Sequence, residues 1–447
     1  MTTGLEWKIP SPYRRTVCVN NLKLETIGGG EDNTTRKYVY PILNVGGGTL
    51  RDGEVEEIGG QDPVNPERQG WSWKGVFNIM YSTLWKWVWR MPLKSSKCPS
   101  LCGRALMDWH PRFSILAAVA TGQILIYSEK SLREGQQPHE VVRPKSQCKY
   151  YCVSYRPNSP GDIAAGSNDG LHLYTKSLPQ LTEGSLLAHE SCSYHMKKLG
   201  QGQVDCIAWH PSGNIVATAG SSMSGFTVWD VNLGTGVRMA VLLERVNLLR
   251  WSPCGSYIAS ASQDGKFYLW EVRNWSMKSW DCGKWGFVVS AEWDPRSRYI
   301  VLAFAKVHKL ITVHITQDPP ALDTSWIGLD MDQLSPTTDN ILDGVSKNPG
   351  CIDWMTWNHD GSRMAVALKN PHPAAECIAI FDTTMSGGLN AIFIGYARPF
   401  QRPVTGEYSV GPTFMKFHKR SGEGKEDILA VRQGRSISFL EIVRKRK

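Results

Sequence analysis

One pattern recurs along the chain and restricts its fold more than any other feature. An aromatic residue ends a short apolar run, a polar or basic residue and often Pro follow, and a turn leads into a second apolar run. The stretch from Val246 to Trp270 shows it most fully. Trp251 is followed by Ser252-Pro253-Cys254-Gly255, where Pro fixes φ and Gly permits the return of the chain. Tyr257 to Ala261 is short and apolar, suited to a strand buried on both faces. Asp264-Gly265 is a tight hairpin signal, and Lys266 to Trp270 alternates as strands do. The anchoring ring recurs at Trp109, Tyr155, Trp209, Trp251, Trp293, Trp357 and Phe417, at intervals of 46, 54, 42, 42, 64 and 60 residues.

Repeats of about 40–45 residues, each supplying four strands, have the period of WD-repeat propellers. The anchors therefore predict an all-β fold, a seven-bladed WD-repeat β-propeller over residues 101–447. The longer intervals require insertions, placed between Ile315 and Cys351, at Lys369–Pro373, at Gly387-Gly388 and at Arg398–Pro403. Third strands end at Tyr127, Tyr174, Trp229, Trp270, Phe381 and Phe439, with blade five less clear near Thr312–His314. Only Trp229-Asp230 spells the WD dipeptide, and no Gly-His dipeptide opens a repeat. The side-chain network of strong WD repeats is expected to be largely missing, leaving stability to apolar packing between blades. Outer strands are expected at Val141–Arg143, Ser185–Ala188, Val237–Leu242, Met277–Trp280, Ser325–Leu329 and Ala391–Tyr396. The last blade has no candidate after Phe439, and an open propeller would expose a sheet edge. The run Arg15–Val19 has strand character, so an N-terminal extension, residues 1–100, is expected to close the last blade with a strand near 15–19. An independent hairpin packed elsewhere is the alternative.

The rest of that extension divides in two. Residues 27–70 are rich in Gly, Asp and Glu, with Gly28-Gly29-Gly30 and Gly46-Gly47-Gly48, and no phosphate-loop Lys-Ser/Thr follows either run; a mobile loop is expected. Residues 71–91 hold Trp71, Trp73, Phe77, Tyr81, Trp85, Trp87 and Trp89. Phe77, Met80, Leu84 and Val88 share a face at helical spacing, which favours a helix, while Trp85, Trp87 and Trp89 alternate as in a strand. The segment either packs across the propeller or presents an aromatic, basic surface to a partner or a membrane interface. Trp85, Trp87 and Trp89 are the partner-binding candidates.

Composition narrows the function classes. The formal charge of +9 is modest, and the basic excess includes the run Arg444–Lys447, either a targeting signal or a solvated end. No dense basic stripe of the kind nucleic-acid binders carry runs through the body, so direct sequence-specific nucleic-acid binding is not expected. Eleven Cys, an odd number with no C-x-x-C pair, suit a reducing compartment, the cytosol or nucleus. Met1 to Pro10 shows no secretory signal, and the uncharged run Val76–Trp85 is too short to span a bilayer, which needs roughly 20 apolar residues. No catalytic, cofactor or metal constellation is expected. Gly220–Gly225 is not a nucleophile elbow but a turn between strands. Cys192 and His195 have no second ligand pair, and Asp169, Asp264 and Asp360 sit in turn contexts, as do His110 and His210 before Pro.

These blade features, taken in order, make the chain resemble the aladin family of WD-repeat nucleoporins along nearly its whole length. The residues that carry the resemblance are Val246–Trp280 (Asn-Leu-Leu-Arg-Trp-Ser-Pro, Leu-Trp-Glu and Trp-Ser-Met-Lys-Ser-Trp), Cys351–Leu368, Arg15–Leu24 and the Trp-rich segment. Animal members carry a Pro-rich tail where this sequence has Arg444–Lys447, so any function of that tail is not expected here. The resemblance implies a non-enzymatic scaffold of the nuclear pore complex at the nuclear envelope. It implies other nucleoporins as partners, an integral membrane nucleoporin among them, a supporting part in protein and mRNA traffic, and no small-molecule substrate. The alternative is a WD-repeat substrate receptor of a cullin-type ubiquitin ligase, suggested by Trp270-Glu271-Val272-Arg273 and by Trp293-Asp294-Pro295-Arg296. A propeller hydrolase or lyase has no residues to support it.

Overall fold

Each blade forms because four short apolar runs, separated by tight turns, pair with their sequence neighbours, which keeps loop-closure entropy low. In the computed structural model the described residues are 104–443, apart from 121, 136, 145–147, 177–193, 240–244, 308, 320, 331–351, 370–375, 385–388, 400–411 and 419–425. Ahead of them, four short strand backbones are described, at 15–19, 23–27, 43–44 and 55–58. Seven antiparallel sheets follow one another in order. Blade one, for example, runs Met107–Trp109, Leu116–Ala120, Gln123–Tyr127 and Glu140–Val142, with the helix Glu129–Glu134 before its outer strand. Blade four runs Val246–Trp251, Tyr257–Ser262, Lys266–Glu271 and Ser276–Asp281. The fold is a seven-bladed β-propeller closed by the N-terminal extension.

The closing strand is Leu43–Asn44, paired antiparallel with Ser436–Ile437. It lies inside the segment expected to be a mobile loop. Arg15–Val19, the expected closing strand, pairs instead with Lys23–Ile27 in a hairpin beside the outer strand of blade six and the third strand of blade seven. A partner a few residues away costs less entropy than the distant edge of blade seven. A further N-terminal strand, Val55–Ile58, pairs in parallel with Tyr194–Leu199 and makes blade two five-stranded. Tyr194–Leu199 is itself the outer strand of blade two, where Ser185–Ala188 was expected; residues 185–188 lie outside the described residues. Its buried Tyr194, Met196 and Leu199 fix the register, although Lys197 and Lys198 hide the pattern in sequence. The blade-three outer strand is Thr235–Met239, starting two residues before the expected Val237, and residues 240–242 of the expected strand lie outside the described residues. The Trp-rich segment 71–91 lies outside the described residues.

Apolar clusters fill every seam between blades. One joins blades one, six and seven through Trp109, Trp354, Phe414, Met415 and Phe439, and others bridge the remaining neighbours. First strands are also stitched to one another by hydrogen bonds. The Trp109 indole donates to Lys416 O at 3.2 Å, and the Trp293 indole donates to Arg250 O at 3.2 Å. Each carbonyl belongs to the residue just before the anchor of the preceding blade in the ring, so these two bonds repeat the same register. The Trp354 indole donates to Met415 O (3.1 Å), Ser290 Oγ to Met355 O (3.3 Å) and Asn247 Nδ2 to Val288 O (3.2 Å).

Candidate functional site

All seven anchors are the last residues of first strands, and all are buried: Trp109, Tyr155, Trp209, Trp251, Trp293, Trp357 and Phe417. In five blades the residue after the anchor steers the chain into the turn: His110, His210, Ser252, Asp294 and Asn358. His110 Nδ1 accepts the backbone N–H groups of Arg112 and Phe113 at 3.1 Å each. His210 Nδ1 accepts Ser212 N at 3.1 Å, and Asp294 accepts Arg296 N at 3.0 Å and Tyr299 N at 2.7 Å. In blade six Asn358 Oδ1 plays the same part, accepting Ser362 N and Arg363 N at 2.9 Å each. The Trp-His-Pro signal is therefore a turn cap that only a neutral imidazole can make, because the accepting nitrogen must be unprotonated.

That geometry has a pH consequence. Burial lowers the pKa of both His110 and His210 from 6.5, more than their backbone bonds raise it. Above about 6.5 both folded and unfolded chains carry neutral imidazoles, so this stability is fully present. As pH falls below about 6.5 the unfolded chain takes up protons first, and stability drops until the lowered native pKa values are passed. The double variant His110→Asn/His210→Asn, which copies Asn358, is expected to fold and to show a flatter loss of stability below about pH 6.5. Urea midpoints across pH would reveal this; an unchanged slope would assign the acid sensitivity to other groups.

The second ring of marker residues lies on third strands. The Trp229 indole donates to Thr218 Oγ1 at 2.9 Å and the Trp270 indole to Ser260 Oγ at 3.0 Å, both buried. Asp264 accepts from Ser262 Oγ and Lys266 N, with Lys266 Nζ at 3.0 Å. Burial pushes its carboxyl up, but these partners together hold it below the usual carboxylate value. Asp169 and Asp360 also serve turns, bonding Ser167 and Ser362 respectively. Parts of the repeat network thus survive in blades two to four, beyond what the missing Gly-His dipeptides suggested. Among the described residues, the buried Trp209 and Trp251 indoles have no acceptor.

Sequence reading missed the residues that tie the ring across long separations. Lys416 Nζ lies 2.6 Å from Asp108, whose carboxylate also accepts Ser154 Oγ at 2.9 Å and Tyr155 N at 2.8 Å, so one carboxylate links three blades. Arg104 is paired with Asp205 at 2.6 Å and lies over the Tyr151 ring. No local motif announces such contacts, because each partner is an ordinary strand residue.

Surface features gather on the circumference. A groove between blades two and three is lined by Arg156, Asp162, Lys197, Trp209, Val231 and Asn232. Leu233 beside it is 73% exposed and Val237 on the same outer hairpin 66%, well above a typical buried strand residue. Phe113, Ile327 and Ile392 are exposed elsewhere on the ring. Such a rim of loops on a rigid frame suits polypeptide binding.

The comparisons agree with this architecture. A family profile for the WD domain, G-beta repeat, matches residues 191–227 and 243–271, in blades two to four. Aladin from Arabidopsis thaliana is 26% identical over 329 residues, covering 69% of this chain and 71% of that protein. The chain is an aladin-like WD-repeat protein. A subunit of a transcription initiation factor, TFIID subunit 5 from Caenorhabditis elegans, is 38% identical over only 72 residues, 16% of this chain and 11% of its own length. Among solved structures, a chain of a mitotic checkpoint complex shares the fold, with TM-score 0.53 and 13% identity over 76% of this chain and 90% of that one.

An aladin-like propeller of this kind is a scaffold WD-repeat protein. No helix among the described residues is long and apolar enough to cross a membrane. The ligase reading gains nothing from its motifs. Glu271 is buried and caps its own turn through Arg273 N (2.8 Å) and Asn274 N (2.9 Å), while Asp294 holds a first-strand turn. Trp85, Trp87 and Trp89 lie outside the described residues.

Proposed function

We propose that this chain is a non-enzymatic nucleoporin, a scaffold of the nuclear pore complex at the nuclear envelope. Other nucleoporins, one of them an integral membrane protein, hold it there, and it supports traffic of protein and mRNA. The observation that carries the reading is the aladin likeness spread over 69% of the chain rather than confined to one repeat. A shared blade motif would give only a short match, as the transcription-factor subunit does. The physical logic is that a closed ring of sheets offers a rigid circumference at which each partner buries loops without reordering the frame.

The test is localisation of the tagged, full-length chain in living cells. A sharp nuclear rim, with nucleoporins recovered by affinity purification under mild detergent, supports the reading. Diffuse signal, or recovery of a ubiquitin-ligase adaptor instead, overturns it.

Within that reading, Trp85, Trp87 and Trp89 act as aromatic anchors for the partner, since buried Trp dominates interface energy. The triple Ala variant is expected to leave the rim while keeping its melting transition. A variant that still rims the nucleus would place the anchor elsewhere, with the exposed hairpin around Leu233 and Val237 the next surface to change.

A further inference from the structure

Blade two brings together three side chains that are neither anchors nor part of the rim groove's lining. Cys148 lies just ahead of the first strand, Tyr150–Tyr155. Asp169 sits in the turn between Ile163–Ser167 and Leu171–Lys176, and His172 is on the latter strand. One donor atom from each, a thiol sulfur, a carboxylate oxygen and an imidazole nitrogen, all lie within 4.8 Å of one another. Cys148 and His172 are buried, at 5% and 1% exposure, while the Asp169 side chain is 35% exposed and opens the cluster to solvent.

The surroundings leave the right atoms facing one another. Asp169 Oδ1 is 3.0 Å from His172 Nε2, while its other oxygen, Oδ2, faces Lys198 Nζ at 3.1 Å. His172 Nδ1 faces the Tyr150 hydroxyl at 3.4 Å, and that hydroxyl also bonds Tyr174. A metal-bound imidazole commonly has its second nitrogen held by an outer partner, and a ligating carboxylate is commonly hydrogen-bonded through its free oxygen. Tyr150 and Lys198 stand where those outer partners belong. Ser167 Oγ also reaches Asp169 and His172, so the carboxylate and the imidazole are oriented before any ion arrives.

We propose that Cys148, Asp169 and His172 form a Zn²⁺ site that clamps the start of blade two to its inner turn. Thiolate, imidazole and carboxylate are the three donor types that Zn²⁺ takes, and three protein ligands leave a fourth tetrahedral position for water on the exposed Asp169 side. Binding replaces the Cys148 thiol proton with the ion and releases that proton to solvent, with no electron transfer. Lys198 weakens the site by its charge and keeps it from being a high-affinity cage. The Zn²⁺ ties Cys148 to the Asp169–His172 pair, in the blade that also receives the N-terminal strand Val55–Ile58.

The experiment uses the full-length chain, stripped with chelator and titrated first with Co²⁺ and then with Zn²⁺. The expected result is about one equivalent of Co²⁺ with a sulfur-to-metal charge-transfer band and tetrahedral visible bands, displaced by Zn²⁺. Cys148→Ser is expected to lose the charge-transfer band, whereas Cys254→Ser, at an exposed thiol, keeps it. Asp169→Asn, at a half-exposed position less critical for folding, is expected to weaken Zn²⁺ about 10–100-fold. Zn²⁺ should raise the melting temperature of the wild-type chain and not of Cys148→Ser. No charge-transfer band in the wild type overturns the proposal, as does a band that persists in Cys148→Ser or an affinity unchanged in Asp169→Asn.

Discussion

Trp109→Ala is expected to lower the free energy of unfolding by about 3–5 kcal/mol, because a buried Trp is deleted where relaxation is restricted. The ring is 4% exposed and sits where the last blade meets the first. It packs edge-on to His418 at 4.6 Å and tilted to Phe439 at 5.9 Å, and its indole N–H donates to Lys416 O. Removal leaves a cavity lined by both blades and a carbonyl without its donor. Trp109→Phe keeps most of the ring and loses the donor, so it should cost nearer 1–2 kcal/mol, about one hydrogen bond plus a small void. Urea denaturation of the full chain checks both. If Phe costs as much as Ala, cavity formation is not the dominant effect.

Arg432→Met is the second large effect, expected at about 2–4 kcal/mol from three lost charge-assisted bonds, two of them across the seam. Arg432 lies on the second strand of blade seven and is 8% exposed. Its Nη1 donates across the seam to Val119 O at 2.8 Å and Leu106 O at 3.1 Å, and its Nε donates to Gly434 O at 3.0 Å. Burial pulls its pKa below the ordinary guanidinium value, so the cation is held at a desolvation cost that these carbonyls offset. Met fills the space and removes that cost, which is why the loss stays below that of Trp109→Ala. Arg432→Lys should fall between wild type and Met, since one ammonium does not reproduce the planar fork. Thermal melts with the same ranking, wild type above Lys above Met, are the expected outcome; a Met variant as stable as wild type would make the seam purely apolar.

How much of this was legible depends on where each signal sits in the chain. The anchors were readable because turn chemistry is local: Trp251-Ser252-Pro253-Cys254-Gly255 announces its own turn, and Ser252 Oγ does accept Tyr257 N at 3.0 Å. Blades were countable because each is assembled from neighbours in sequence. The closing strand was not, since Leu43–Asn44 is a two-residue edge element with no apolar alternation to show it. Arg15–Val19 looked more like a strand and is one, but it satisfies its backbone within its own hairpin. The outer strand Tyr194–Leu199 was hidden by Lys197 and Lys198, two consecutive half-buried residues that break the apolar alternation. Arg432, Lys416 and Asp108 act over separations of hundreds of residues, which no period reveals. Asp169 was legible only as a turn residue, and Cys148 and His172 gather around it only once blade two has folded.

Ring closure by the N-terminal extension is tested most directly by amide hydrogen exchange of the full chain and of a Leu43→Pro/Asn44→Pro variant. Proline removes the two backbone donors of the closing strand without touching the blade it closes. Closure predicts slow exchange at Ser436–Ile437 in the natural chain, faster exchange there in the variant, and no change at Ser276–Asp281 in blade four. Equal protection of Ser436–Ile437 in both proteins would contradict it.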